Sequence, residues 1–141
     1  EPFLWELADV TGPVVPAENM IEAEEWEQGW VVRVASWWAQ GYDLLVTPTV
    51  ATLAPTLAEL DPASHRPPEL LEKMAPHMAF TEPYNVTGHP ALSLPLHWTP
   101  DGLPVGVQLV ARMGREHLLL PVAAQLERER PWSGHRPALH A

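Results

Sequence analysis

The sequence predicts an α/β fold in which helices flank part of one mixed β-sheet. Three observations predict it. Apolar residues recur at helical spacing after residue 17, two strand-like runs meet at a turn sequence, and an amphipathic stripe closes the chain. A length of 141 residues suits a single domain with a real core. Residues 1–141 are therefore treated as one segment, divided into 1–41 and 42–141.

Residues 1–41 predict an irregular or briefly helical start followed by one tryptophan-rich helix from Ala17. Glutamates cluster near the start of this helix, where the helix dipole favours negative charge, and Gly41 stands where the helix would end. We interpret the apolar stripe as a core-packing face, with a partner-binding face as the alternative. Its residues recur every three or four positions: Met20, Ala23, Trp26, Trp30, Val34 and Trp37.

Residues 42–141 predict strands, a hairpin and a closing helix. The apolar run 44–46 ends at Pro48 and is typical of a short buried strand. Residues 50–67 predict irregular structure, after which Pro67 could open a short helix. The runs "ALSLPLHW" and "PVGVQLVA" are joined by Thr-Pro-Asp-Gly, a sequence suited to a tight turn. These two runs therefore predict a β-hairpin.

Prolines complicate two segments of the second part. In "GREHLLLPVAAQLERERPW", Pro121 would remove a helical hydrogen bond, so the closing helix either begins near Leu120 or is kinked. The run "FTEPYNVTGHP" is crowded with turn-forming residues, and we expect a rigid loop rather than a helix or a strand there. Prolines number 17 in all, and most fall between apolar segments, which favours rigid connections in a folded protein.

The composition argues against several classes of function. A net charge of −10 opposes binding to nucleic acid or to an anionic membrane. No cysteine is present, so disulfides and thiolate chemistry are excluded, and no apolar run suggests a membrane span. The first residues show no signal-peptide pattern and no Met. We therefore expect a cytoplasmic protein, and a chain that is either processed or a piece of something longer.

The chain shows no complete catalytic set. None of its seven histidines are spaced three or four residues apart, and its glycines form no nucleotide-binding loop, so we expect neither a metal nor a cofactor. We interpret Lys73, the one lysine, as a solvated surface residue. A nucleophilic pair of Ser93 with Lys73 is imaginable, but no motif supports it.

Four segments, in order and spacing, resemble the C-terminal part of amidase-signature hydrolases. They are "YDLLVTPT", "FTEPYNVTGHPALSLPL", "DGLPVGVQLVA" and "GREHLLLPVAAQLERERPW". The resemblance implies part of the mixed sheet of the amidase-signature fold, and hydrolysis of a carboxylic amide to an acid and an amine or ammonia. It implies a Ser–cis-Ser–Lys triad and no cofactor. That triad belongs to an earlier region of the family, which nothing here matches, so no catalytic residue is assigned in this chain.

The resemblance also implies a supporting role beside a substrate pocket. Family members that supply ammonia for tRNA-linked amidation tend to carry Asp three residues before the loop threonine, where this chain has Met78. This departure disfavours the amidotransferase role and favours a general amide hydrolase. The residues expected to flank the pocket are Thr47, Thr49, Phe80, Thr81 and Asn85.

The partners implied are the missing N-terminal catalytic region of the same protein and a small-molecule amide. The isolated chain is then expected to be inactive. Strands cut from a larger sheet leave unpaired edges and apolar faces, so we also expect association, including a possible homo-oligomer. The alternative function is a non-enzymatic binding or assembly module derived from an amidase.

Overall fold

The computed structural model describes residues 17–136. The expected irregular start before Ala17 lies outside these residues. The elements follow in chain order as α1 (Ala17–Trp38), β1 (Leu44–Pro48), a 3₁₀ turn (Leu57–Leu60), α2 (Pro67–Met78), α3 (Glu82–Thr87), β2 (Ala91–Trp98), β3 (Pro104–Ala111) and α4 (Glu116–Glu129).

The three strands form one sheet in the order β1-β3-β2, and β3 pairs antiparallel with both neighbours. The expected α/β class, with helices flanking a sheet, is confirmed. The hairpin is also confirmed, since a turn at residues 99–103 joins β2 to β3 and the Thr99 amide donates to the Leu103 carbonyl at 2.9 Å. The order of the strands, which the sequence left open, puts β3 in the centre.

One face of the sheet packs against α4 and forms the core. Residues on successive strand positions point to opposite faces, so Leu94, Leu109 and Ala111 share a face. They form a buried cluster with Leu119 of α4. Further apolar side chains pack around this cluster, namely Leu44, Leu92, Leu96, Val122, Ala123, Leu126 and Trp132. The stripe predicted for the closing helix therefore does face the core.

Proline is accommodated in β2 because β2 lies at an edge of the sheet. Pro95 has no N–H to donate to a ladder, and prolines in sheets are confined to edges and bulges. The register of β2 against β3 shifts between Pro95 and His97, as a β-bulge would produce. The strand therefore continues to Trp98 despite the proline.

The segment expected to be a rigid loop contains a helix, so that prediction was wrong. Helix α3 has six residues and carries Pro83 in its first turn, where a missing N–H leaves no helical hydrogen bond unmade. It ends at Gly88, whose φ of 69° is left-handed and suits glycine. The turn-forming residues of this stretch are thus the start and stop signals of a short helix.

Two other local predictions were tested, of which one is narrowed and one was wrong. The closing helix α4 begins at Glu116, which excludes a start near Leu120, and Pro121 lies inside the helix, as the alternative of a kinked helix required. Residues 57–60, expected to be irregular, form a 3₁₀ turn that begins with a capping box between Thr56 and Glu59. A capping box satisfies backbone donors at a helix start, which explains why a regular turn forms there.

Helix α1 is confirmed as a helix, but its stripe is not core. Met20 is 62% exposed and Trp26 is 66% exposed, whereas Trp38, which lies outside the predicted stripe, is 2% exposed. The expected core-packing role is therefore wrong for the first half of the stripe. The reason is tertiary: the other described elements meet α1 mainly towards its C-terminal end, where Trp30, Val34 and Trp37 are half-buried. Across residues 17–136, no helix combines the length and apolar content that a bilayer span requires.

Candidate functional site

The face of the sheet opposite α4 carries a group of polar side chains. Thr47 and Ser93 both stand opposite Gln108 in the strand register, so all three side chains emerge on the same face. Thr49 follows directly after β1, and its amide extends the ladder by donating to the Gly106 carbonyl at 3.0 Å. We call this surface the polar sheet face and define it by Thr47, Thr49, Ser93, Gly106 and Gln108.

Gln108 lies at the centre of the polar sheet face and is only 4% exposed. Its Nε2 donates to the Phe80 carbonyl oxygen at 2.7 Å and to Thr47 Oγ1 at 3.1 Å. The Phe80 carbonyl can only accept a hydrogen bond, so the atom of the Gln108 side chain that faces it must be the Nε2 donor and not Oε1. One side chain thus connects β3, β1 and the segment that leads into α3.

Thr49 and Ser93 form a hydroxyl pair over Gly106. Their side-chain oxygens lie 2.5 Å apart and come from segments on either side of β3. A Cβ atom at position 106 would lie 2.6 Å from Thr49 Oγ1 and 2.8 Å from Ser93 Oγ. Glycine is therefore required here by space, because the hydroxyls occupy the position of a side chain.

The structure brings three of the five predicted pocket residues together. Thr47 and Phe80 meet through Gln108, and Thr49 lies beside them on the polar sheet face. Thr81 instead makes a local contact, since its Oγ1 donates to the Met78 carbonyl at 3.2 Å. Asn85 is exposed on α3. Contact of any of the five with a substrate stays a prediction.

The sequence did not single out Gln108 or Gly106 as site residues. The available signal was the alternation along β3, which places Gly106, Gln108 and Val110 on one side and the more apolar positions on the other. That alternation shows which residues share a face. It does not reveal that the partners of Gln108 come from segments 61 and 28 residues away.

His89 holds the other end of α3. Thr87 Oγ1 donates its one hydrogen to the Pro83 carbonyl at 2.9 Å. The 2.8 Å contact between His89 Nδ1 and Thr87 Oγ1 therefore requires His89 to donate through Nδ1–H. The His89 ring also stacks on Trp38, with centroids 5.7 Å apart. Burial lowers the pKa of His89, which favours the neutral imidazole, and in that form the Nδ1–H tautomer makes this bond.

On the polar sheet face, the Ser93 hydroxyl pairs with Thr49 and makes no hydrogen bond to Lys73. Lys73 is exposed on α2, as expected, while the Ser93 hydroxyl is engaged by Thr49. Within residues 17–136, no group of three or more histidines or carboxylates is placed to hold a metal ion. The polar sheet face can orient a ligand or a neighbouring segment through its hydroxyls and amide, and it has no base placed to activate a nucleophile.

The family is shown by comparison with known proteins. The model of the family described as Amidase matches residues 13–120, and the chain belongs to this family. The resemblance that the four sequence segments carry is thereby confirmed.

The relatives by sequence include named hydrolases. The chain is 47% identical over 112 residues to 6-aminohexanoate-cyclic-dimer hydrolase of Pseudomonas sp. (strain NK87), an alignment that covers 76% of this chain and 23% of that protein. It is 34% identical over 136 residues to an acylamidase of Rhodococcus erythropolis, covering 96% of this chain and 27% of that protein. The chain thus spans about a quarter of the length of these relatives.

The solved structures agree with the sequence comparison. A structure of 6-aminohexanoate cyclic dimer hydrolase superposes with a TM-score of 0.80 at 40% identity, covering 88% of this chain and 27% of that chain. A structure from the glutamyl-tRNA(Gln) amidotransferase of Thermotoga maritima matches with a TM-score of 0.58 at 24% identity, covering 89% of this chain and 30% of that chain, and supports the fold alone.

Proposed function

We propose that this chain is the C-terminal part of an amidase that hydrolyses a small-molecule carboxylic amide to an acid and an amine or ammonia. The observation that carries the proposal is the 47% identity over 112 residues to a hydrolase named for a cyclic amide dimer. The Ser–cis-Ser–Lys triad comes from a region outside this chain, and the chain alone is inactive. Its own contribution is a wall of the substrate pocket formed by the polar sheet face and α3.

The upstream catalytic region of the same protein is the proposed partner. Helix α1 supports this, because a helix with apolar side chains exposed on more than one side is typical of an element that further protein covers. Trp26 and Trp30 line a groove between α1 and α3, while Ile21 and Val32 are exposed elsewhere on α1. The lack of cysteine suits the cytoplasm, which we propose as the compartment.

A chimeric enzyme tests the proposal. The aligned residues of this chain would replace the matched segment of the 6-aminohexanoate-cyclic-dimer hydrolase of Paenarthrobacter ureafaciens, which is 46% identical over 112 residues. We expect the chimera to hydrolyse the cyclic dimer, because its upstream residues supply the triad and this chain supplies the pocket wall. The 141-residue chain alone should release no product from the same substrate.

The matched control for this experiment is Lys73→Ala in the chimera. Lys73 is exposed on α2, so its removal should leave the hydrolysis rate unchanged. The proposal would be overturned if the 141-residue chain alone hydrolysed amides and lost that activity on Lys73→Ala or Ser93→Ala. A folded chimera without activity would also count against a pocket-wall role.

The second candidate is a non-enzymatic binding or assembly module derived from an amidase. The observation that favours it is that the hydroxyls of the polar sheet face bond to each other and to Gln108, and none of their hydrogen bonds within the described residues is to a base. A ligand or partner that binds the 141-residue chain tightly, together with an inactive chimera, would favour this candidate over the first.

A further inference from the structure

We propose that Gln108 is a positioning residue for the amidase site: its carboxamide clamps the start of α3 to the end of β1 and so holds two sides of the pocket wall in fixed relation. The kinetic consequence of this clamp rests on the proposed function. The clamp itself is a property of the 141-residue chain and can be tested without any activity.

Helix α3 depends on outside contacts for its placement. It is six residues long, and a helix of that length is not stable by its own hydrogen bonds. Thr81, at its N-cap position, makes no capping hydrogen bond with its side chain. The start of α3 is instead fixed by the bond from Gln108 to the carbonyl of Phe80, the residue just before that position. Its end is fixed by Thr87 and His89.

Glutamine suits this position because its NH₂ group carries two hydrogens, and both neighbouring groups accept hydrogen bonds. The two hydrogens of Nε2 are directed at the Phe80 carbonyl and at Thr47 Oγ1. Methionine has a similar length but no N–H to donate, and an ionised glutamate can only accept. Each of these replacements would leave the Phe80 carbonyl without this donor. A carbonyl that is removed from water and left without a donor costs more free energy than the net contribution of the lost hydrogen bond.

The clamp would act on substrate binding more than on the chemical step. If the pocket wall is already ordered, none of the free energy of substrate binding is lost in ordering the wall. The groups that make and break bonds lie outside this chain under the proposed function, so releasing α3 should leave them largely in place. Loss of Gln108 should therefore raise KM more than it lowers kcat.

Hydrogen exchange of the 141-residue chain tests the clamp directly. A peptide covering residues 80–89 contains the Tyr84 and Asn85 amides, which donate to the Thr81 carbonyl, and the Gly88 amide, which donates to the Tyr84 carbonyl. In Gln108→Met this peptide should exchange about tenfold faster, the equivalent of about one hydrogen bond. Gln125→Met, the same change at an exposed position of α4, should leave its exchange unchanged.

Gln108→Glu adds a pH signature that a packing defect would not give. Ionised glutamate faces the Phe80 carbonyl without a donor, whereas protonated glutamate has one O–H to give. The exchange rate of the 80–89 peptide in Gln108→Glu, divided by its rate in the unmodified chain at the same pH, should therefore fall towards one as the pH is lowered. The ratio for Gln108→Met should not follow this trend.

Kinetics of the chimera separate positioning from a purely structural role. We expect Gln108→Met to raise KM for the cyclic dimer about tenfold and to change kcat by less than about threefold. Unchanged exchange of residues 80–89 would overturn the clamp. Faster exchange with unchanged KM would refute the positioning role. An inactive unmodified chimera would refute the proposed function, while the exchange data would still decide the clamp.

Discussion

At the scale of single residues, two glycines show two different reasons for the same residue type. Gly88 ends α3 because its φ of 69° is left-handed, a conformation that other residues rarely adopt. Gly106 has no such φ and is required because Thr49 and Ser93 occupy the space of a Cβ atom. The requirement for glycine at position 88 comes from the local backbone conformation. The requirement at position 106 arises only when the three strands are assembled.

Gly106→Ala should destabilise the chain by about 1–3 kcal/mol, because the new methyl group would displace the side chains of Thr49 and Ser93. Urea denaturation of the 141-residue chain would measure the change. Gly134→Ala is the matched control, since a Cβ atom there meets nothing within 4 Å. Equal stability of the two variants would show that the sheet adjusts freely at Gly106.

At the scale of elements, α4 shows how packing overrides a local preference. Pro121 cannot donate to the carbonyl four residues earlier, and the sequence therefore suggested a late start or a kink. The helix nevertheless begins at Glu116 and continues to Glu129. Burial of Leu119 and packing of Val122, Ala123 and Leu126 on the sheet favour one continuous helix and offset the missing hydrogen bond.

Pro121→Ala should stabilise the chain by about 1–2 kcal/mol. The substitution restores a helical donor, and its benefit is reduced because proline also restricts the unfolded chain. Pro121 is exposed, so the change leaves no cavity in the core. The midpoint of thermal or urea unfolding would report the gain. Pro131→Ala, just beyond α4, is the control and should give no gain; a loss of stability in Pro121→Ala would contradict the argument.

At the scale of the whole molecule, the described residues leave large apolar surfaces uncovered. Strands β1 and β2 are the two edges of the sheet, and α1 exposes Met20, Ile21 and Trp26. Exposed edges and contiguous apolar faces are typical of surfaces that bind other protein. The glutamates of α1 disfavour contact between the α1 helices of two copies, so we expect the apolar side chains of α1 to pack against a different surface of the second copy.

We expect the isolated 141-residue chain to associate at high concentration, and the double substitution Ile21→Ser with Trp26→Ser to weaken that association at least about tenfold. Light scattering over a concentration series would measure it. Leu57→Ser is the control, because Leu57 is 94% exposed but lies outside α1. A chain that stays monomeric at the highest concentration would contradict the expectation.

Patterns within single segments were enough to predict the family, the hairpin, the existence of α1 and the apolar stripe of α4, because short motifs or periodicity encode all of these. The assembled fold was needed to establish which part of α1 is buried, and that Gln108 joins Thr47 to Phe80. The cause of this difference is distance along the chain. A hydrogen bond between residues 61 positions apart, or a helix face left uncovered, depends on neighbours that no local pattern specifies.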